Sequence, residues 1–263
     1  MGKLTSYEEL QEKLSRLNLM RIGQTVDQYC QKALDEKLSY SEFLAQLLDE
    51  EIAHKREHTL RFRIQMAQFP FKKTIEQFDF SYQPSIDKRK IEELATLRFV
   101  ANGENIIFLG PPGVGKTHLA IGLGIRACME GMKTYFITGD KVIHKLIASL
   151  SDNSFEQKMR SFKQPHLLII DELGYLAFNQ QASNFFFQLI CSRYEKGSII
   201  ITSNRSYSEW DKIFSEPVIA SAILDRLLHH SITINIRGES YRLKEKRMFF
   251  EKTNYNVAKN EIF

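Results

Sequence analysis

The residues best suited to chemistry form a glycine-rich stretch that ends in lysine and threonine. Residues 110–117 match the pattern G-x-x-x-x-G-K-[ST]. Such a loop turns backbone amides around a β-phosphate, while Lys116 reaches the β- and γ-phosphates and Thr117 coordinates Mg²⁺. A site for ATP and Mg²⁺ is therefore predicted. Its predicted nucleotide-binding residues are Gly110, Pro111, Pro112, Gly113, Val114, Gly115, Lys116, Thr117 and His118.

An apolar segment that ends in two acids supplies the second part of the predicted site. Leu167–Ile170 is followed directly by Asp171 and Glu172. In the fold that uses this phosphate loop, such a strand brings its acids close to the loop. We predict that Asp171 holds Mg²⁺ together with Thr117, and that Glu172 activates or positions the water that attacks the γ-phosphate.

Four further polar residues are candidates for assisting hydrolysis. Asn204 follows the apolar run Ser198–Thr202, so we predict that it orients the attacking water from the tip of a strand. Three arginines are candidates for stabilising the transition state. Arg226, in an amphipathic helix, would act on a neighbouring subunit. Arg242 would contact the nucleotide of its own chain. Arg193 lies at the end of the helix that precedes the strand ending near Asn204.

Short strands alternating with helices must position these residues. Continuous apolar, β-branched runs in such an order are typical of a mostly parallel sheet covered by helices on both faces, which makes the chain an α/β protein. A helix over about Ile86–Val100 is predicted to stop at Asn102-Gly103. The predicted strands are Asn105–Leu109, Thr134–Ile137, Leu167–Ile170, Ser198–Thr202 and Ile232–Ile236.

The first third of the chain has a different pattern, charged and helical. Ser39 and Glu42 have the spacing of a capping box, and Phe69-Pro70-Phe71 breaks the helical periodicity because proline cannot continue a helix. We therefore predict a helical N-terminal domain over residues 1–70 that binds DNA or a partner. The ATPase domain, with its linker, is expected over residues 71–263.

The composition narrows the environment and the partners. The formal net charge of +4 permits a nucleic-acid partner without requiring one. Three widely spaced cysteines favour a reducing compartment, and every apolar run is too short to span a bilayer, so a cytoplasmic protein without membrane association is expected.

Lysine and arginine clusters are the candidate DNA contacts, although a charge run is as often a solvated helix face. Since no DNA-reading motif is visible, we expect backbone contacts and weak sequence preference. The candidates are Lys55, Arg56, Arg61, Arg63, Lys72 and Lys73, with a second cluster at Lys244, Lys246 and Arg247.

Taken together, these motifs resemble the IstB family. The resemblance rests on the phosphate loop continued by His-Leu-Ala, on Leu-Ile-Ile-Asp-Glu-Leu-Gly-Tyr-Leu and on Ile-Thr-Ser-Asn-Arg. Ile-Glu-Glu-Leu-Ala-Thr-Leu-Arg-Phe upstream and Leu-Asp-Arg-Leu downstream extend it from about residue 7 to 250. Members are ATP-binding helpers encoded beside the transposase of a class of bacterial insertion sequences, and they are related to DnaC-type helicase loaders.

The resemblance implies a fold and partners that the residues alone do not. It implies an AAA+ P-loop ATPase with a small helical N-terminal domain. It also implies ATP-dependent binding to duplex DNA, homo-oligomers on that DNA, and recruitment or stimulation of a partner transposase. One departure is that only one helix is evident after Ile236, so the helical lid of larger AAA+ proteins must be missing or minimal, which leaves the role of Arg242 open.

Three alternative functions could use the same phosphate loop, and the first of them keeps the same nucleotide chemistry. A helicase loader would dock a hexameric helicase through the N-terminal helices and prefer single-stranded DNA. A small-molecule kinase would need an acceptor pocket, and the Asp171-Glu172 pair suits activation of water better than of an alcohol. A nucleotide switch without turnover is disfavoured by the intact Glu172.

Overall fold

The computed structural model describes residues 7–244. Backbone contacts divide the chain into two compact units, Met1–Phe62 and Arg63–Phe263. This division lies eight residues before the domain boundary expected from Phe69-Pro70-Phe71. No helix within the described part of the chain combines the length and apolar character needed to cross a membrane.

The first unit is helical. Its elements are α1 (Tyr7–Arg16), α2 (Met20–Glu36) and most of α3 (Tyr40–Met66). Ile22, Val26 and Leu47 form its small buried core. The predicted capping box at the start of α3 is confirmed, because the Glu42 carboxylate accepts from the Ser39 backbone N–H at 2.8 Å and Ser39 Oγ accepts from the Glu42 N–H at 3.3 Å.

The second unit contains a five-stranded parallel sheet in the order β2-β3-β4-β1-β5. All five strands predicted from the apolar runs are present, with ends that differ by up to three residues. Because the strands are parallel, their carboxyl ends all lie along one edge of the sheet. The strands are β1 (Asn105–Leu109), β2 (Thr134–Thr138), β3 (Leu167–Leu173), β4 (Ser198–Ser203) and β5 (Ser231–Asn235).

Helices cover both faces of this sheet. Successive residues of a strand point to opposite faces, so Ile106 and Ile107 of β1 belong to two separate apolar cores. The helices of this unit are α4 (Lys88–Leu94), α5 (Arg98–Ala101), α6 (Lys116–Met129), α7 (Gly139–Ser151), α8 (Phe155–Lys163), α9 (Gln180–Arg193) and α10 (Pro217–His229). The α/β prediction is confirmed.

The single helix predicted over Ile86–Val100 is wrong. The chain forms two short helices, α4 and α5, because Leu97 between them adopts a left-handed backbone conformation with φ of 62°. A leucine rarely does so, but here its side chain is buried in the core. Tertiary burial therefore overrides the local helical preference.

The linker after α3 belongs to the second unit and packs against its sheet. Helix α3 ends at Met66, before the Phe69-Pro70-Phe71 break. Ala67 O accepts a hydrogen bond from the Phe136 backbone N–H at 2.8 Å, and the Phe69 ring meets the Phe136 ring edge-on. Phe69 is thus a packing residue.

Candidate nucleotide and hydrolysis site

The phosphate loop lies where its motif predicts, between the carboxyl end of β1 and the start of α6. Gly113 and Gly115 have φ of 83° and 99°, a region that side chains disfavour. A Cβ at Gly113 would collide with Ser240, and one at Gly115 would lie 2.5 Å from the Phe78 ring. Both positions therefore require glycine for conformation and for space.

Lys116, the first residue of α6, lies folded back on the loop. Its Nζ donates to Gly110 O at 2.7 Å and to Pro111 O at 2.8 Å. Burial lowers the pKa of Lys116 to about 8, although the nearby carboxylates of Asp171 and Glu172 act in the opposite direction. A triphosphate would replace the two carbonyls and restore full protonation.

Thr117 and Asp171 come together as predicted. Thr117 Oγ1 lies 2.8 Å from Asp171 Oδ1 and 3.1 Å from Oδ2. Burial raises the pKa of Asp171, and its hydrogen bonds to Thr202 and Thr117 oppose the rise. A hydroxyl and a carboxylate are the oxygen donors that Mg²⁺ prefers, so this pair fits the metal.

Glu172 has the only positive φ, 57°, among the non-glycine residues of the described strands. Its backbone N–H donates to Thr202 Oγ1 at 2.9 Å, and Glu172 lines a cavity next to the phosphate loop. Burial raises the pKa of Glu172, and the neighbouring Asp171 carboxylate adds to the rise. A carboxylate with a raised pKa is a better proton acceptor, which suits a general base.

A cavity of about 690 Å³ opens above the phosphate loop. It joins the loop to the carboxyl edge of the sheet, and it brings together the predicted residues Lys116, Thr117, His118, Glu172 and Asn204. Arg242 also lines it, as a contact with the nucleotide in cis would require. Lys72 and Lys73, predicted as DNA contacts, line the same cavity.

The linker forms a wall of this cavity that sequence reasoning missed. His118 Nε2 lies 2.7 Å from Thr74 O, which can only accept, so this nitrogen carries the proton. The His118 ring meets the Phe78 ring edge-on. Gln83 Nε2 donates to Glu239 O, which ties the linker to the segment carrying Arg242. No sequence signal distinguished these linker residues.

Arg193 does not reach the nucleotide site, so its candidacy for the transition state is wrong. The side chain is 2% exposed, and its guanidinium donates only to backbone carbonyls. Two of these belong to His166 and Ser198, at the amino ends of β3 and β4, opposite the phosphate loop. Burial lowers the pKa of Arg193 to about 10. Arg193 is a structural residue.

Arg226 lies on α10 and does not line the nucleotide cavity. Its Nη1 donates to Ala222 O at 3.1 Å, and its guanidinium lies 5.0 Å from the centre of the Phe187 ring. It is half-buried rather than freely exposed. This position is compatible with the predicted action on a neighbouring subunit.

The N-terminal basic residues lie on α3. Lys55 pairs with Glu51 at 3.6 Å and Arg61 pairs with Glu57 at 2.5 Å, each one turn away. Lys55, Arg56 and Arg61 are exposed, whereas Arg63 is half-buried. In the second basic cluster Lys244 pairs with Asp79 at 3.4 Å, while Lys246 and Arg247 lie outside the described residues.

The family follows from comparison with known proteins. Residues 12–248 match the family described as IstB-like ATP binding protein. The chain belongs to the IstB-like family. A protein described as an ATP-binding protein of insertion sequence IS5376, from Geobacillus stearothermophilus, is 46% identical over 93% of this chain and 98% of its own length. The corresponding IS21 protein of Pseudomonas aeruginosa is 46% identical over 91% of this chain and 90% of its own length.

Solved structures agree with the AAA+ fold of this IstB-like chain. The structure of DnaI has a TM-score of 0.55 and 22% identity, covering 67% of this chain and 94% of DnaI. DnaA of Aquifex aeolicus, bound to the ATP analogue AMPPCP, has a TM-score of 0.54 and 22% identity, covering 71% of this chain and 57% of DnaA. At such identities the comparison shows the shared fold.

Proposed function

We propose that this IstB-like chain binds duplex DNA in an ATP-dependent way, assembles on it, recruits or stimulates the transposase of its insertion sequence, and hydrolyses the bound Mg-ATP. The observation that carries the proposal is the contact between Thr117 and Asp171. Thr117 and Glu172, the residue after Asp171, line the same cavity as the phosphate loop. Binding alone would not require a second acid, Glu172, next to the proposed metal ligand Asp171.

Each residue has a defined role in this proposal. Lys116 leaves the loop carbonyls to bind the β- and γ-phosphates, and Thr117 and Asp171 hold Mg²⁺. A metal ion bound there would neutralise charge on the phosphates. Glu172 takes a proton from the attacking water, and Asn204 orients that water from the tip of β4. This mechanism needs no acceptor other than water, whereas a kinase would also need a pocket for an acceptor alcohol.

The relatives supply the biological setting. Three relatives that are named as ATP-binding proteins of insertion sequences are 40–46% identical to this chain over more than nine-tenths of its length. Transposition is therefore the process we infer for this chain, and a transposase is the inferred protein partner. The DnaI-like fold is equally compatible with a helicase loader, so the fold does not separate the two functions.

We propose that DNA binding involves the exposed basic residues Lys55, Arg56 and Arg61 of α3. The Arg61–Glu57 pair is exposed and weak, so a DNA phosphate can replace Glu57 at small cost, whereas the Glu51 partner of Lys55 is buried. Lys72 and Lys73 have a second possible role, because they line the nucleotide cavity. Phosphate contacts release counterions, so binding should weaken steeply with salt.

The proposal is tested by measuring ATP hydrolysis alone, with duplex DNA and with single-stranded DNA of the same length. We expect stimulation by the duplex that falls as salt rises. Stimulation confined to single-stranded DNA would favour the loader, and the absence of any stimulation would contradict a DNA-dependent ATPase. The variant Lys55→Ala/Arg56→Ala/Arg61→Ala should lose stimulation and keep basal turnover.

A further inference from the structure

Thr202 in β4 contacts both acids of the proposed hydrolysis site. Its side chain is buried, with 1% exposure. The hydroxyl donates to Asp171 Oδ1 at 2.6 Å and accepts from the Glu172 backbone N–H at 2.9 Å. One oxygen atom therefore links the proposed metal ligand to the proposed base.

The directions of these two hydrogen bonds are fixed. A backbone N–H can only donate, so Thr202 Oγ1 must accept from Glu172, and the single hydroxyl proton is left for Asp171. The Thr117 hydroxyl reaches the same Asp171 Oδ1 from the phosphate loop. Two hydroxyls, one from β4 and one from α6, thus orient the carboxylate.

Glu172 needs this anchor because its backbone conformation is unfavourable. Its φ of 57° lies in the left-handed region, which a residue with a Cβ seldom adopts. The pairing register between β3 and β4 is interrupted between Ile170 and Leu173. The regular ladder is therefore broken at Glu172, and the Thr202 hydroxyl satisfies its N–H instead.

We propose that Thr202 is a positioning residue for ATP hydrolysis. It holds the Asp171 carboxylate toward Thr117, and it maintains the turn at Glu172 that places this side chain at the cavity. The inference rests on the proposed ATPase function, and Thr202 acts through the two acids. Serine can perform the same role, whereas valine has the right shape but neither donates nor accepts.

The test compares Thr202→Val and Thr202→Ser with the parent protein. Thr202→Val should lower kcat about 10- to 100-fold, the range expected for losing one hydrogen bond to a charged group. The affinity of Thr202→Val for ATP without magnesium should stay close to that of the parent protein. The magnesium concentration at which magnesium increases ATP binding should be higher for Thr202→Val than for the parent. Thr202→Ser should recover most of the turnover.

Thr138→Val is the matched control. Thr138 ends β2, opposite Asp171 in register, and within the described residues its buried Oγ1 has no hydrogen-bond partner. This variant should keep the parental kcat. Thermal unfolding shows whether Thr202→Val folds. If it does not, Thr202→Ala takes its place in the test, and the Thr202→Ser protein should then have a higher turnover than the Thr202→Ala protein.

Two results would overturn the inference. One is parental kcat and magnesium dependence in a folded Thr202→Val or Thr202→Ala protein. The other is a Thr202→Ser protein as slow as the valine or alanine variant. A parent protein that releases no phosphate would instead contradict the proposed function, so the two failures are distinguishable.

Discussion

Lys116 illustrates how a single side chain is prepared for its ligand. Its ammonium group is half-buried and donates to two loop carbonyls, and burial lowers its pKa to about 8. A triphosphate carries the negative charge that the neutral form cannot bind. Nucleotide affinity should therefore depend on the protonation of this lysine.

We predict that ATP affinity decreases as the pH rises through 8. Because the pKa of Lys116 is about 8 and bound phosphates would raise it, the loss of affinity between pH 7 and 9.5 should be about 30-fold by proton linkage. Titration with ATP at each pH measures it, with thermal unfolding as the control for an intact fold. An affinity that is constant over this range would contradict the assignment.

Some residues could be predicted from the sequence and others could not, for physical reasons. The residue types and spacing of the phosphate loop, and the two acids Asp171 and Glu172 at the end of an apolar strand, are needed by few structures other than a nucleotide site. These residues could therefore be predicted. Thr202 looks like any threonine in a strand, because its importance comes from the neighbouring strand. Arg193 looks like a surface residue at a helix end until the fold buries it.

At the scale of elements, the parallel strands were predictable because continuous β-branched runs mark them. The break between α4 and α5 was not, because the left-handed Leu97 is stabilised by burial of its side chain rather than by local preference. The linker wall of the cavity was missed for the same reason, since residues such as Phe78 acquire their role only by packing on the phosphate loop.

Arg193 joins three elements, and its removal should destabilise the protein. Its guanidinium bonds carbonyls after α8 and at the starts of β3 and β4. Arg193→Ala should lower the free energy of unfolding by about 3–5 kcal/mol, because several buried acceptors lose their donor. Urea unfolding measures this loss.

The exposed Arg160, on α8, provides a matched control. Arg160→Ala should change the free energy of unfolding by less than about 0.5 kcal/mol. A stable Arg193→Ala protein that binds ATP but does not hydrolyse it would contradict the structural role. Such a result would instead indicate that Arg193 stabilises the transition state.

At the scale of the whole molecule, Arg226 is proposed to complete the site of a neighbouring subunit. Arg226→Ala should bind ATP and hydrolyse it slowly, and mixing it with Lys116→Ala, whose Arg226 is intact, should restore part of the activity. Phosphate release at several mixing ratios measures the rescue. No rescue at any ratio would count against action between subunits.

The central claim is that one site binds ATP through Lys116 and hydrolyses it through Glu172. The most direct measurement is phosphate release, together with ATP binding, for the parent, Lys116→Ala and Glu172→Gln proteins with magnesium and long duplex DNA. We predict that the parent releases phosphate, that Lys116→Ala does not bind ATP, and that Glu172→Gln binds ATP and remains on DNA with little turnover. Undiminished turnover in Glu172→Gln, or parental ATP affinity in Lys116→Ala, would contradict the account.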